Sequence, residues 1–135
     1  MLPVIEKRTY IILPSYLNLP NGEYYPMSCG RLIAQATHAV QNLSTRTDFD
    51  RWTDHTTVVL KVIDSKQLAF VRDQVLGREP YISWAQFQDT NCEVYGTDTP
   101  ILTAVAFHCS RKKGKSLFHT LEGWTCDGVN QERQS

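Results

Sequence analysis

The sequence lacks the features that would assign it at once to a membrane, secreted or metal-binding class. No apolar run approaches membrane-spanning length, and the N-terminus lacks the charged-then-apolar order of a signal peptide. The four cysteines form no Cys-x-x-Cys pair, so the pattern predicts neither a zinc site nor a redox motif. We therefore expect free thiols, a cytoplasmic location, no metal and no organic cofactor.

Net charge is also absent, because 14 Lys and Arg residues balance 14 Asp and Glu residues. Bulk charge therefore gives no steering toward nucleic acid. The distribution is less even, since Arg111, Lys112, Lys113 and Lys115 form a basic cluster directly after an apolar run. Such a cluster is either a solvated turn or a contact for phosphate, and both interpretations stay open.

The rest of the sequence predicts one domain over residues 1–135, with 1–8 and 127–135 flexible. Apolar and β-branched runs predict four strands, at 9–13, 57–63, 81–87 and 101–107. Apolar spacing predicts three helices, at 29–43, 65–76 and 117–124. The nearly unbroken run at 57–63 is typical of a central strand. This order predicts an α/β sandwich, in which a four-stranded mixed sheet is flanked by helices on both faces.

The helix predicted at 29–43 carries two different faces. If Ser28 caps it, one side has the spacing of a buried face, at Leu32, Ala36, Ala39 and Leu43. A second side carries a polar stripe, made of Arg31, Gln35, His38 and Asn42. Arg31 lies in the first turn, where the helix dipole disfavours a cation unless an anion offsets it. The stripe therefore predicts a phosphate-bearing ligand near Arg31.

The same residues carry a family resemblance. The string Gly30-Arg31-x-x-Ala-Gln35-x-x-His38-Ala resembles the Gly-Lys-x-x-Ala-Gln-x-x-His-Ala signature of type II peptidyl-tRNA hydrolases. Those enzymes free stalled peptides from tRNA. The resemblance spans Tyr10 to Trp124 and implies the same order of elements, a homodimer with Trp124 as a candidate contact, and no cofactor. It also implies a tRNA acceptor end or a nucleotide-like ligand as the partner.

A second motif follows the third predicted strand. The family has an Asp-Ala-Gly-x-Thr-Glu loop and then Gly-x-x-Thr, and here Gly96 and Thr99 match the latter part. Aligning the loops on Glu93 places Gln88 at the family's Asp position. A shorter loop places Asp89 there instead, and both alignments stay open.

Arg31 stands where the family has its lysine. A guanidinium stays charged, so Arg31 could grip a phosphate or polarise a carbonyl but could not act as a general base. Under the resemblance, Asp89 or His38 would activate water, and Thr97 or Thr99 with backbone N–H groups would hold the oxyanion. The structural alternatives are an ion-paired Arg31, a hydrogen-bonding His38 and an Asx-turn at Asp89.

The resemblance thus implies an enzyme that cleaves the ester between a peptide and tRNA. Its catalytic residues would be Arg31, Asp89 and Thr99. Its substrate-binding residues would be Gln35, His38, Gln88, Thr97, Arg111, Lys112 and Lys113. The alternative is a family member whose catalytic set has drifted, and which binds tRNA, a nucleotide or a protein without cleaving it.

Overall fold

The computed structural model of the chain describes residues 6–45 and 56–124. Its strands are β1 (Lys7–Asn18), β2 (Tyr24–Pro26), β3 (Thr57–Asp64), β4 (Ser83–Asp89), β5 (Ile101–Ser110) and β6 (Glu122–Gly123). Its helices are α1 (Cys29–Ser44), α2 (Ser65–Arg78), α3 (Cys92–Tyr95) and α4 (Arg111–Phe118). None of these helices, within the residues described, is long and apolar enough to span a membrane.

The strands form one mixed sheet in the order β4-β5-β1-β3-β6, with β2 paired to the end of β1. β1 and β3 are parallel, and the other pairs are antiparallel, so the predicted mixed α/β class is confirmed. The predicted count of four strands is wrong. The two extra strands, β2 and β6, have three and two residues, too few to leave an apolar run in the sequence.

Helices cover both faces of the sheet, as predicted. Alternation along β1 sends Ile11 and Leu13 into a core beneath α1, whereas Tyr10 and Ile12 enter a second core beneath α2 and α4. β5 contributes to both cores and is buried from Ile101 to Cys109. The chain thus has two apolar layers that share one central sheet.

The predicted central place of residues 57–63 is wrong. β3 lies between β1 and the two-residue β6, and only Leu60 and Val62 along it are buried. Ile63 keeps 68% of its surface exposed. A β-branched run indicates a strand, but the pairing partners decide whether both faces are covered, and here β5 and β1 hold the centre.

The helix predicted at 117–124 is also wrong. The last helix, α4, begins directly after β5, where the Ser110 hydroxyl accepts a hydrogen bond from the Lys113 N–H at 3.2 Å. After Phe118 the chain turns, and Glu122–Gly123 pairs with β3, so Trp124 follows a strand rather than lying on a helix. The basic cluster supplies the exposed side of α4 instead of a solvated turn.

The predicted flexible ends have different outcomes. Lys7 and Arg8 form the first two residues of β1 and pair with Ser110 and Cys109, so the flexibility predicted for 1–8 is wrong at these two residues. Residues 1–5 lie outside the described residues. The C-terminal stretch, 127–135, lies outside the described residues.

Candidate functional site

Arg31 occupies the first turn of α1 with no acidic residue beside it in that turn. The Ser28 hydroxyl caps the helix by accepting from the Arg31 N–H at 3.3 Å. The Arg31 guanidinium lies over the Tyr25 ring, with its carbon 5.4 Å from the ring centroid. Within residues 6–45 and 56–124, no carboxylate lies at ion-pair distance from it. The half-buried cation therefore faces an aromatic ring rather than an acid.

Asp89, the last residue of β4, is held through one oxygen. The Tyr95 hydroxyl donates to Asp89 Oδ2 at 2.7 Å, and the Gln35 amide Nε2 donates to the same oxygen at 3.2 Å. In the described part of the chain no hydrogen bond reaches Oδ1. The half-buried carboxylate thus has one oxygen bonded to protein and one that can accept from a ligand or water.

Tyr95 reaches Asp89 because a single helical turn presents it. Asn91 caps α3 through its side-chain oxygen, and Gly96 ends the turn in the left-handed region at φ +69°, a conformation that favours glycine. The Tyr95 ring is buried and meets the Tyr25 ring edge-on at 5.3 Å between centroids. Burial, and then the bond to Asp89, raise the pKa of Tyr95 well above its usual range, so its hydroxyl stays a donor.

The other end of the Gln35 amide is bonded to a third polar side chain. The Thr103 hydroxyl donates to Gln35 Oε1 at 2.7 Å, which leaves the Gln35 amide nitrogen for Asp89. The β4–β5 register shifts between Phe87 and Gln88, so Thr103 has no residue directly opposite it and reaches α1 instead. Gln35 itself is only 6% exposed, so both ends of its amide are bonded to protein.

Most of the polar stripe on α1 contacts β4. The His38 ring stacks on Phe87 with centroids 4.4 Å apart, and Asn42 donates to the Gln86 carbonyl at 2.9 Å. Gln35 contacts Asp89 as described above. These contacts explain most of the stripe as a surface that docks the helix on a strand at the sheet's edge, whereas Arg31 contacts the Tyr25 ring.

The two possible alignments of the second motif place their residues on opposite faces of β4. Asp89 faces α1, whereas Gln88 is exposed and shares its face with Gln86, whose side chain accepts from Arg72. Asp89 therefore lies on the face of β4 that is covered by α1, the helix that carries Arg31. Its carboxylate bonds Tyr95 and Gln35, which distinguishes it from a simple Asx-turn residue.

The two loop threonines lie between α3 and β5. The Thr99 N–H donates to the Thr97 hydroxyl at 3.1 Å, and Thr99 is exposed. Across the described ranges, neither threonine hydrogen-bonds to Asp89 or Arg31. Their proposed oxyanion role therefore depends on a bound substrate.

The basic cluster is remote from Asp89. Asp89 pairs with Ile101 at the start of β5, and Arg111 follows that strand's other end, roughly 30 Å away along an extended chain. Arg111 is 3.5 Å from Glu6 and Lys113 is 3.2 Å from Glu79, while Lys112 is exposed. A whole strand therefore separates the cluster from the end of β4 at which Asp89 lies.

A mainly apolar groove lies apart from these polar groups. A groove of about 470 Å³ lies on the other side of α1, between that helix and β1 and β3. Its described lining is mainly apolar, includes Ile33, Val59 and Trp124, and contains no Asp, Glu, Lys, Arg or His. It lacks the groups that acid–base chemistry requires.

The described residues give little support for a metal site or for thiol chemistry. Over the part of the chain that the structure describes, no three His, Cys, Asp or Glu side chains come together as a metal site. Cys29, Cys92 and Cys109 form no disulfide with one another, and Cys126 lies outside the described residues. Burial raises the pKa of the Cys109 thiol to about 11, so it is unreactive.

Sequence reasoning missed Tyr25, Tyr95 and Thr103. Thr103 left a signal, because it is the single polar residue in the run 101–107, and a buried hydroxyl needs a partner. Tyr25 and Tyr95 left none, since their roles depend on a three-residue strand and a four-residue helix.

No family model matches this sequence, and no curated protein matches it. Among solved structures, the fold is similar to that of a protein of unknown function from Agrobacterium tumefaciens, with a TM-score of 0.60 and 12% sequence identity. The match covers 90% of this chain and 100% of that one. At this identity the likeness shows a shared fold and carries no function.

Proposed function

We propose that this protein hydrolyses the ester that joins a peptide to the 3′ end of tRNA. The observation that carries the proposal is the Asp89 carboxylate, bonded to protein through Oδ2 only and facing the helix whose first turn holds Arg31. A carboxylate with one oxygen available can take a proton from water. A guanidinium without an acidic partner can hold the phosphate of a nucleic acid.

The reaction needs two proton transfers and no cofactor. Asp89 Oδ1 takes a proton from water as the water oxygen attacks the ester carbonyl carbon. The tetrahedral intermediate then collapses, the carbon–oxygen bond to the ribose breaks, and Asp89 returns the proton to the ribose oxygen. Thr97 and Thr99, in the loop before β5, are the side chains available to donate to the oxyanion.

Arg31 supplies the nucleic-acid contact in this proposal. Its position over Tyr25 holds the guanidinium at the edge of the site without neutralising its charge. The exposed basic side of α4, led by Lys112, is too far away to touch the same nucleotide. In this proposal it contacts phosphates farther along a bound tRNA. Gln88 and His38 are also exposed, but they lie on or against β4, close in sequence or contact to the end that holds Asp89.

The test is incubation with a defined peptidyl-tRNA, with both ester cleavage and retention of tRNA on a filter measured. We expect the wild-type protein to cleave, and Arg31→Ala to lose retention. Arg72→Ala, on the opposite face of the sheet, is the matched control and should behave as wild type. A wild-type protein that neither cleaves nor retains the RNA contradicts the proposal.

One observation favours a second function, a binding protein that does not cleave. The residue in the first turn of α1 is an arginine, which cannot exchange a proton as the family's lysine could. Retention of tRNA or a nucleotide without product would support this function. Robust deacylation would exclude it.

The proposed reaction carries two further expectations about the protein's setting. With a tRNA substrate we expect a cytoplasmic location, and the family resemblance implies a homodimer. Trp124, half-buried after β6, is the candidate dimer contact. Sedimentation of wild type and Trp124→Ala would test that assembly.

A further inference from the structure

We propose that Tyr95 is a positioning residue, which together with Gln35 orients the Asp89 carboxylate so that Oδ1 faces the reacting water. This inference rests on the proposed hydrolase function and adds a residue to it. It concerns the hydroxyl of Tyr95, whose ring also has a packing role.

The geometry of the two donors supports this role. Tyr95 approaches Asp89 Oδ2 from α3 and Gln35 approaches the same atom from α1, so the carboxylate is held between two elements that the chain builds separately. Rotation of the carboxylate would break both bonds at once. The second oxygen, Oδ1, is thereby kept on the side that neither donor occupies.

Tyr95 and Gln35 cannot easily change from hydrogen-bond donors into acceptors at Asp89. The buried Tyr95 hydroxyl keeps its proton because its pKa is raised. Its acceptor is the Asp89 carboxylate, so the bond between them is charge-assisted. Gln35 is prevented from flipping, because a reversed amide would place Oε1 against the Asp89 carboxylate, which can only accept. The Thr103 hydroxyl donates to the other end of the same amide and so helps to hold Gln35 in place against Asp89.

The hydroxyl has little other use in the fold. A phenylalanine would fill the same buried space and would keep the edge-on contact with Tyr25 at 5.3 Å. What it would remove is the bond of 2.7 Å to Asp89. The chain thus offers a substitution that separates packing from positioning.

The experiment compares wild type, Tyr95→Phe and Tyr81→Phe in steady-state cleavage of peptidyl-tRNA. Tyr81 is 98% exposed, so Tyr81→Phe removes the same hydroxyl oxygen from an unrelated part of the surface. We expect Tyr95→Phe to lower kcat about tenfold to a hundredfold with little change in KM, because a charge-assisted bond is lost from the reacting group and not from the RNA contact. Tyr81→Phe should match wild type.

Gln35→Met provides a second variant, since it removes the other donor with a side chain of similar length. It should also lower kcat and spare KM. If wild type cleaves and Tyr95→Phe cleaves equally well, the positioning role is overturned while the hydrolase function stands. If wild type does not cleave, the hydrolase function itself fails. A rise in KM with kcat unchanged would place Tyr95 in substrate binding and would also overturn the inference.

Discussion

The Thr103 hydroxyl lies 2.7 Å from Gln35 Oε1, although 68 residues separate the two in sequence. Thr103 is fully buried and Gln35 nearly so. A buried amide requires partners at both ends, and Thr103 and Asp89 supply them. The interior of the fold therefore contains a polar connection that runs from β5 through α1 to the end of β4.

Replacing Thr103 by valine should destabilise the protein. The substitution keeps the shape of the side chain but leaves the Gln35 oxygen buried without a donor, at a cost of about 1–3 kcal/mol. Chemical denaturation measures the change. Thr37→Val is the control, because the Thr37 hydroxyl bonds an exposed helix carbonyl and its loss should change stability little. Equal effects of the two variants would contradict the account.

Gly114 allows α4 to pack directly on β1. A Cβ at this position would overlap the buried Tyr10 ring, which itself contacts Phe118 at 5.0 Å between centroids. We expect Gly114→Ala to lower the free energy of unfolding by about 1–3 kcal/mol through overpacking. Gly77→Ala, a helical glycine with no atom near the added Cβ, should leave stability unchanged or raise it by up to about 1 kcal/mol. A Gly114→Ala protein as stable as wild type would show that Tyr10 can move aside.

His108 should make stability fall in mild acid. Burial, and secondarily the charge of Lys7, lower the pKa of His108 from 6.5 to about 4. The unfolded chain takes up the proton below about pH 6.5 and the folded protein does not until about pH 4, so this stability is present above the window and is lost as pH falls through it. The loss amounts to about 3 kcal/mol. Denaturation midpoints measured from pH 7 to pH 4 test it.

The matched variants are His108→Gln and His119→Gln. The first should flatten the pH dependence between pH 6.5 and 4. The second removes an exposed histidine and should leave it unchanged. A profile that responds equally to both variants would contradict the assignment to His108.

Binding of tRNA should weaken with added salt, in proportion to the number of phosphate contacts. If Arg31 holds one phosphate, Arg31→Ala should reduce the slope of log affinity against log salt by about 0.7–0.9. Arg72→Ala should leave the slope unchanged. An unchanged slope for Arg31→Ala would mean that its guanidinium does not contact phosphate.

The order of the main elements was predictable from sequence because each carries its own local signal. Ser28 caps α1 as expected, and Asp64 caps α2 by accepting from the Gln67 N–H at 2.9 Å. The Gln67 side chain bonds the Ile63 N–H, a residue earlier than an ideal capping box requires. Hydrogen bonds of this kind depend on a few neighbouring residues, so the sequence alone can indicate them.

The order of the strands across the sheet, and the partners of polar side chains, depend on residues that are far apart in the sequence. The run at 57–63 indicates a strand equally well at the centre or near the edge, and the structure puts β3 near the edge. The polar stripe on α1 indicates a face that does not join the apolar core. In the structure β4 supplies polar partners for two of its residues, Gln35 and Asn42, and the Phe87 ring for His38. Tyr95 reaches Asp89 only through the cap of a single helical turn, which composition does not reveal.

The most direct measurement is single-turnover cleavage of a defined peptidyl-tRNA by wild type and Asp89→Asn, with tRNA retention measured on the same samples. The account predicts that the variant loses at least about a hundredfold in the cleavage rate, because an amide cannot take the proton from water, and that it retains tRNA as wild type does. Cleavage by Asp89→Asn at the wild-type rate would contradict it.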